Sequence, residues 1–304
     1  MRILLIRPGA LGDTILTLPI IAAILQKHPG SHLTLLGNPQ YGFLLPEAVN
    51  ADSFDSLKWS WIFEPKSGPS HNSEILPELA YVILKNHKLV TESLRSAGIE
   101  TIVASSQPEE GKSIVETLCE RLSLPVPERQ PYLKRMTRSE PSNRVWLAPG
   151  SGSLIKNASP DLFRNVLESV CKHYDLQPVI TLGEADATLL NDEHFRTLET
   201  KQQPDIIYNK SLEFIITTYC NSRIYIGNDS GVSHLAAALD IPCILFFTIT
   251  DPRIWAPYTK TERLLVLRLR DQTTLSEESH NEIHSQIRAF LLRKLPLPQT
   301  LPSI

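Results

Sequence analysis

Three groups of residues in this chain have the types and spacing to do chemistry. The first reads Gly227-Asn228-Asp229-Ser230-Gly231-Val232-Ser233-His234. It sits between a β-branched and aromatic run at 224–226 and an alanine-rich stretch at 232–239, with a second apolar run at 241–247. The pattern is strand, loop, helix, strand, with the helix between parallel strands. Ser230 is a natural N-cap for a helix opening at Val232, and Gly227 and Gly231 can take backbone angles closed to other residues. The helix then presents unpaired N–H groups near Ser230, Gly231 and Val232 to the loop, where they and the positive end of the dipole attract phosphate. Asp229, at the carboxyl end of the strand, would be repelled by a phosphate and suits the hydroxyls of a sugar. His234 either reaches the ligand or packs against a neighbouring loop. The bland reading of the whole segment is a well-capped turn.

The second group is Pro149-Gly150-Ser151-Gly152-Ser153-Leu154-Ile155-Lys156, which follows an apolar run at 145–148. Small residues such as Ser151, Gly152 and Ser153 let a phosphate approach the backbone, and Lys156 supplies a compact positive charge. The Gly-Lys-Ser/Thr ending of a Walker loop is absent, and a plain exposed loop with a surface lysine is the other reading. Beyond the next strand, at 178–182, Glu184 stands where open α/β sheets bind ligands. It meets a ribose or base there, or caps its own loop. The third group, Arg7-Pro8-Gly9-Ala10-Leu11-Gly12-Asp13, follows the apolar run 3–6. Its Gly9-x-x-Gly12 lacks the third glycine of the dinucleotide fingerprint, which argues against a nicotinamide cofactor. Gly12 suggests close backbone approach. Asp13 falls in the first turn of the following helix, where the dipole favours a carboxylate. It can accept a proton from a sugar hydroxyl, or serve only as a helix cap.

The elements that must hold these groups form two βα series. In the first, a strand at 3–6, a helix reaching about residue 27 and a strand at 33–36 make a βαβ opening. Residues 74–97 read as helical, 101–104 as a short strand and 113–122 as a helix. Trp59, Trp61 and Phe63, spaced by two, make either a strand face or an exposed acceptor platform. The segment 133–143, rich in Lys, Arg, Ser and Pro, reads as a linker. The second series follows, with a helix from Pro160 to His173 capped by Ser159, another at 212–220, and an amphipathic helix at 277–295 that could cross back to the first domain.

Composition bounds the rest. The net charge of −3 makes no overall electrostatic case for nucleic acid. Cys119, Cys171, Cys220 and Cys243 lack metal-ligand spacing and suit buried free thiols. The opening Met1-Arg2-Ile3 stretch is too short for a signal-peptide core, and no apolar run approaches the roughly twenty residues that span a bilayer. A cytoplasmic protein is expected.

Taken together, Asp-Ser-Gly-x-Ser-His-Leu-Ala-Ala-Ala-Leu from Asp229, the following x-x-Pro and apolar strand, and Thr250-Asp251-Pro252-x-x-Trp255-Ala256-Pro257 resemble glycosyltransferase family 9, the bacterial heptosyltransferases. Gly12-Asp13 followed, after five intervening residues, by Pro19 is similar to that family's other signature. The resemblance implies an α/β protein of GT-B architecture, two Rossmann-like domains facing across a cleft. The expected domains are an acceptor-binding domain at 1–138, a linker at 139–143, a donor-binding domain at 144–278, and a C-terminal helix and tail at 279–304. It further implies that Asp13 is the catalytic base and that Lys156 contacts the donor diphosphate. The reaction would be inverting transfer from a nucleotide sugar, ADP-heptose foremost, to a glycolipid or oligosaccharide acceptor of lipopolysaccharide-core type. Neither metal nor cofactor is expected, and the protein is expected to be a monomer with at most peripheral membrane association. One departure stands out: where the family has Phe-Gly-Pro-Thr-Asp-Pro, this chain has Phe247-Thr248-Ile249-Thr250-Asp251-Pro252. Rival readings are a non-catalytic sugar-nucleotide-binding protein and a nucleotide-sugar epimerase of the same architecture.

Overall fold

A computed structural model describes residues 1–64, 76–136, 140–269 and 277–295, with the backbone alone for 277–280. The chain divides into two compact units, Met1–Glu128 and Arg129 onward.

The first unit contains β1 (Arg2–Ile6), α1 (Leu11–Lys27), β2 (His32–Gly37), β3 (Val49–Ser53), β4 (Leu79–Ile83), α2 (Lys88–Ser96), β5 (Glu100–Ala104) and α3 (Ile114–Arg121). Its five strands are parallel in the order β3-β2-β1-β4-β5. Strands β1 and β4 read as continuous apolar runs because both of their faces are covered. Leu4, Ile6, Ala80 and Val82 pack in one core with Val90 and Leu94 of α2.

Two sequence expectations in this unit are corrected. Residues 79–83 form the strand β4, and helix begins only at Lys88. Leu-Ala-Tyr-Val-Ile is a short apolar run, which periodicity cannot tell from a buried helix. The aromatic triplet lies on a 3-10 helix, Leu57–Phe63, capped by Ser56. Trp59 and Trp61 are buried there, Trp59 Nε1 donating to Asp52 Oδ2 at 2.8 Å, while Phe63 stands edge-on to Phe54. The strand face gives way to a 3-10 helix whose two tryptophans pack in the core, while Phe63 stays exposed.

The second unit contains β6 (Arg144–Ala148), α4 (Pro160–Tyr174), β7 (Gln177–Leu182), α5 (Glu193–Arg196), β8 (Asp205–Tyr208), α6 (Leu212–Tyr219), β9 (Ile224–Asn228), α7 (Gly231–Ala238), β10 (Cys243–Phe247), α8 (Pro252–Trp255), β11 (Leu264–Arg268) and α9 (Glu277–Lys294). Six parallel strands run β11-β10-β9-β6-β7-β8. The expected helix starts hold: Ser159 accepts from the N–H of Leu162, and Pro160 occupies the first position, where its missing N–H costs nothing. Ile283, Ile287, Phe290 and Leu291 of α9 share a core with Val145, Ile180 and Ile244, so this helix is packed on the second sheet.

The region expected as a linker is partly built into the second unit. Leu133 is fully buried and donates its N–H to Ala238 O, Lys134 pairs with Asp240 at 3.0 Å, and Ser142 N–H bonds Asn221 O. Residues 137–139 lie outside the described residues. All four cysteines are free and buried, and burial pushes the thiols of Cys119 and Cys171 up to about 12. Among the described residues no helix is long and apolar enough to cross a membrane.

Candidate active site

Each sheet starts at a central strand and grows outward in one direction before the chain returns to the other side. In the second unit the reversal falls between β6 and β9, so the loops leaving their carboxyl ends diverge and open a crevice between them, the position where doubly wound sheets bind ligands. Those are the two loops singled out by sequence. The fold brings Lys156 onto Asp229, Nζ to Oδ2 at 2.9 Å, across 73 positions of chain. Thr250 Oγ1 donates to the same oxygen at 2.7 Å, and His234 Nε2 lies 4.0 Å from Oδ1. Asp229 is only 7% exposed, a depth at which a carboxylate without a cation would cost several kcal/mol. Lys156, itself about one-third exposed, meets that requirement while its ammonium keeps two further donors.

Helix α7 opens beside this pair. Ser230 is its N-cap, as expected, with Oγ accepting from the N–H of Ser233 at 3.3 Å. Gly231 and Val232 are the first two helical positions, whose N–H groups have no acceptor within the helix. The helix begins one residue earlier than expected, and the strand extends through Gly227 and Asn228. Gly227 is therefore needed for space, not for unusual backbone angles. A Cβ there would come within 2.4 Å of the Tyr225 hydroxyl, which bonds Ser233 Oγ at 3.0 Å in full burial. Burial raises the Tyr225 pKa, against the opposing effect of the Ser233 bond.

Asn228, which sequence reasoning passed over, staples the lysine loop at both ends. Its Oδ1 accepts from Ala158 N–H at 2.9 Å and its Nδ2 donates to Pro149 O. Between the staples, Ser151 Oγ sits 2.6 Å from Asn157 Oδ1 and 2.8 Å from Ser153 O, Gly152 adopts φ 71°, and Ser153 leads into the 3-10 turn Leu154–Lys156. Replacing Asn228 with Ala strands a buried donor and a buried acceptor. At about 1–3 kcal/mol each, the variant should lose about 2–6 kcal/mol of stability, read as a fall of several degrees in the melting of the second unit. A melting temperature matching wild type would show that the loop holds itself.

Two acids follow β7. Glu184 is exposed at the start of a 3-10 helix. The acid turned toward the lysine loop is Asp186, which accepts from Gly183 N–H at 3.0 Å and packs so closely on Gly150 that a Cβ there would lie 1.9 Å from its carboxylate. Burial raises the Asp186 pKa, partly offset by that N–H. The usable signal was the glycine, not the acid: Gly150 admits the carboxylate.

In the first unit the reversal lies between β1 and β4, and the loop after β1 carries Asp13 at its helix entrance. Ala10 is the N-cap and Asp13 the third helical residue, its Oδ2 accepting from Ala10 N–H at 3.3 Å. Ala10 has no side-chain oxygen to return the bond, so only half of a capping box exists. The other oxygen, Oδ1, takes Arg7 Nη2 at 2.6 Å. Asp13 remains about one-third exposed. Gly12 is half-buried one position before it. Among the described residues no three His, Cys, Asp or Glu side chains are grouped to hold a metal ion.

Residues 153–284 match the sequence model of Glycosyltransferase family 9 (heptosyltransferase). A Haemophilus influenzae protein provisionally described as a glycosyltransferase is 24% identical over 324 aligned positions, covering 86% of this chain and 87% of that one. Among solved structures, E. coli heptosyltransferase WaaC with ADP superposes with a TM-score of 0.70 at 15% identity, over 95% of this chain and 100% of the other. E. coli ADP-heptose lps heptosyltransferase II does so with a TM-score of 0.70 at 18% identity, over 96% and 99%. The solved structures share the two-domain GT-B fold of this chain, and residues 153–284 are similar to a glycosyltransferase family. The family recognised from the Asp229 and Asp13 motifs, glycosyltransferase family 9, is the one whose model the second unit carries.

Proposed function

We propose that the protein is an inverting, metal-independent heptosyltransferase that moves a heptose from ADP-heptose to a lipopolysaccharide-core acceptor in the cytoplasm. The observation that carries this reading is the Lys156–Asp229 pair at the open end of α7, at the switch point of the second sheet. A diphosphate fits there on the Gly231 and Val232 N–H groups and on the two remaining donors of Lys156. Asp229 and Asp186 supply acceptors for sugar or ribose hydroxyls. The donor identity follows the names of the similar structures, one solved with ADP and one described as using ADP-heptose.

In the proposed reaction Asp13 takes the proton of the acceptor hydroxyl. The alkoxide oxygen bonds to the anomeric carbon from the face opposite the diphosphate, and the bond to the diphosphate oxygen breaks with its electron pair, so ADP leaves and the anomeric centre inverts. Lys156 and the helix N-terminus stabilise the charge growing on the leaving group. The test is transfer from a panel of nucleotide sugars, with the configuration of the new linkage read by NMR. Transfer should persist in excess EDTA. Activity that disappears with chelator and returns with Mg²⁺ would refute metal independence. Binding of nucleotide sugar without turnover would favour a non-catalytic protein, and interconversion of donor sugars an epimerase.

A further inference from the structure

Among the described residues, Arg7 is the cation placed against the Asp13 carboxylate, and its setting is costly for a surface-type residue. Its side chain is only 10% exposed, and its Nε is buried with no hydrogen-bond partner in the protein. Its backbone is fixed as well: Arg7 N–H bonds Leu36 O at 3.0 Å, and a Cβ on Gly37 would lie 3.0 Å from Arg7 O. The loop then doubles back so tightly that a Cβ on Gly9 would lie 2.5 Å from the Asp13 Cβ. The result is a carboxylate gripped on one side. Oδ1 is held at 2.6 Å by a buried guanidinium, while Oδ2 has only the long 3.3 Å bond from Ala10.

A buried arginine loses hydration, and burial lowers the Arg7 pKa while the Asp13 charge opposes the fall. Helix capping alone does not call for such a group, because capping uses Oδ2 and the Ala10 N–H. Resting on the reading of Asp13 as the base, we propose that Arg7 is a positioning residue: it pins Oδ1, fixes the carboxylate rotamer, and leaves Oδ2 as the atom that takes the acceptor proton.

The experiment measures transfer kinetics for Arg7→Met, Arg7→Lys, Asp13→Asn and the double variant Arg7→Met/Asp13→Asn, with melting temperatures and calorimetric titration of ADP alongside. Losing one charge-assisted positioning bond should lower kcat about ten- to hundredfold in Arg7→Met. KM should stay within about twofold, because the contact acts on the base and not on substrate binding. ADP affinity should be unchanged. Arg7→Lys should recover most of the rate, since the contact at Oδ1 uses a single donor nitrogen. The double variant should be no slower than Asp13→Asn, because with the base gone there is nothing left to position. A purely structural role would instead lower the melting temperature and multiply through the double variant, and Arg7→Lys would not restore kcat. Wild-type kcat in Arg7→Met with Asp13→Asn inactive would overturn this proposal alone. Wild-type turnover by Asp13→Asn would overturn the base and with it the positioning role. If Arg7→Met does not fold, Arg7→Lys decides: a folded Lys variant as slow as Asp13→Asn overturns the proposal, and one near wild type supports it.

Discussion

Replacing Asp13 with Asn should slow transfer by about 10²–10⁴, the usual worth of one positioned general base, while leaving the affinity for donor nucleotide within about twofold. The substitution keeps shape and removes the charge that accepts the proton. Asn can still take a hydrogen bond from Ala10 N–H, so the helix entrance should survive. Donor affinity is expected to hold because the proposed nucleotide contacts come from the second unit, through Lys156 and the start of α7. Steady-state transfer kinetics together with calorimetric titration of ADP separate the two effects. An Asp13→Asn variant that turns over like wild type would leave Asp13 as a helix-capping residue and the base unidentified.

Lys156→Ala should act on both quantities. A charge-assisted contact to the diphosphate contributes on the order of 1.5–3 kcal/mol, so ADP should bind roughly ten- to hundredfold more weakly, and transfer should slow as well. The structure adds a second effect that the sequence reading lacked. Asp229, 7% exposed, would lose its lysine and keep the Thr250 hydroxyl, with the His234 ring further off at 4.0 Å. Adding Asp229→Asn to Lys156→Ala removes that stranded charge, so the double variant should regain melting temperature but not ADP affinity. If Lys156→Ala alone binds ADP as tightly as wild type, Lys156 serves only to neutralise Asp229, and the phosphate site reduces to the backbone of 230–233.

The loop departing from the family pattern also acquires a role. Thr248 Oγ1 donates to Ile155 O at 3.3 Å and Thr250 Oγ1 to Asp229, so the segment 248–250 is tied by two hydroxyls to the lysine loop and to the acid. Ile249 between them is about half exposed.

The sequence by itself determined the elements that obey local rules. Ser159-Pro160 and Ser230 mark helix starts through bonds made within three residues, and both sit where their types require. β1 and β10 announce themselves as continuous apolar runs, because parallel strands are buried on both faces. The motifs around Asp13, Lys156 and Asp229 were legible for the same reason: each is a strand end, a short loop and a helix entrance, contiguous in the chain. Tertiary structure decided what depends on residues far apart. Whether 79–83 was strand or helix turned on a place beside β1 that only the sheet provides. The Lys156–Asp229 pair and the Asn228 staple across the loop at 149–158 arise where strand order reverses, and the packing of Asp186 on Gly150 arises between the neighbouring ends of β6 and β7. A carboxylate's partner is chosen by burial and distance, and neither quantity exists until the sheet has closed.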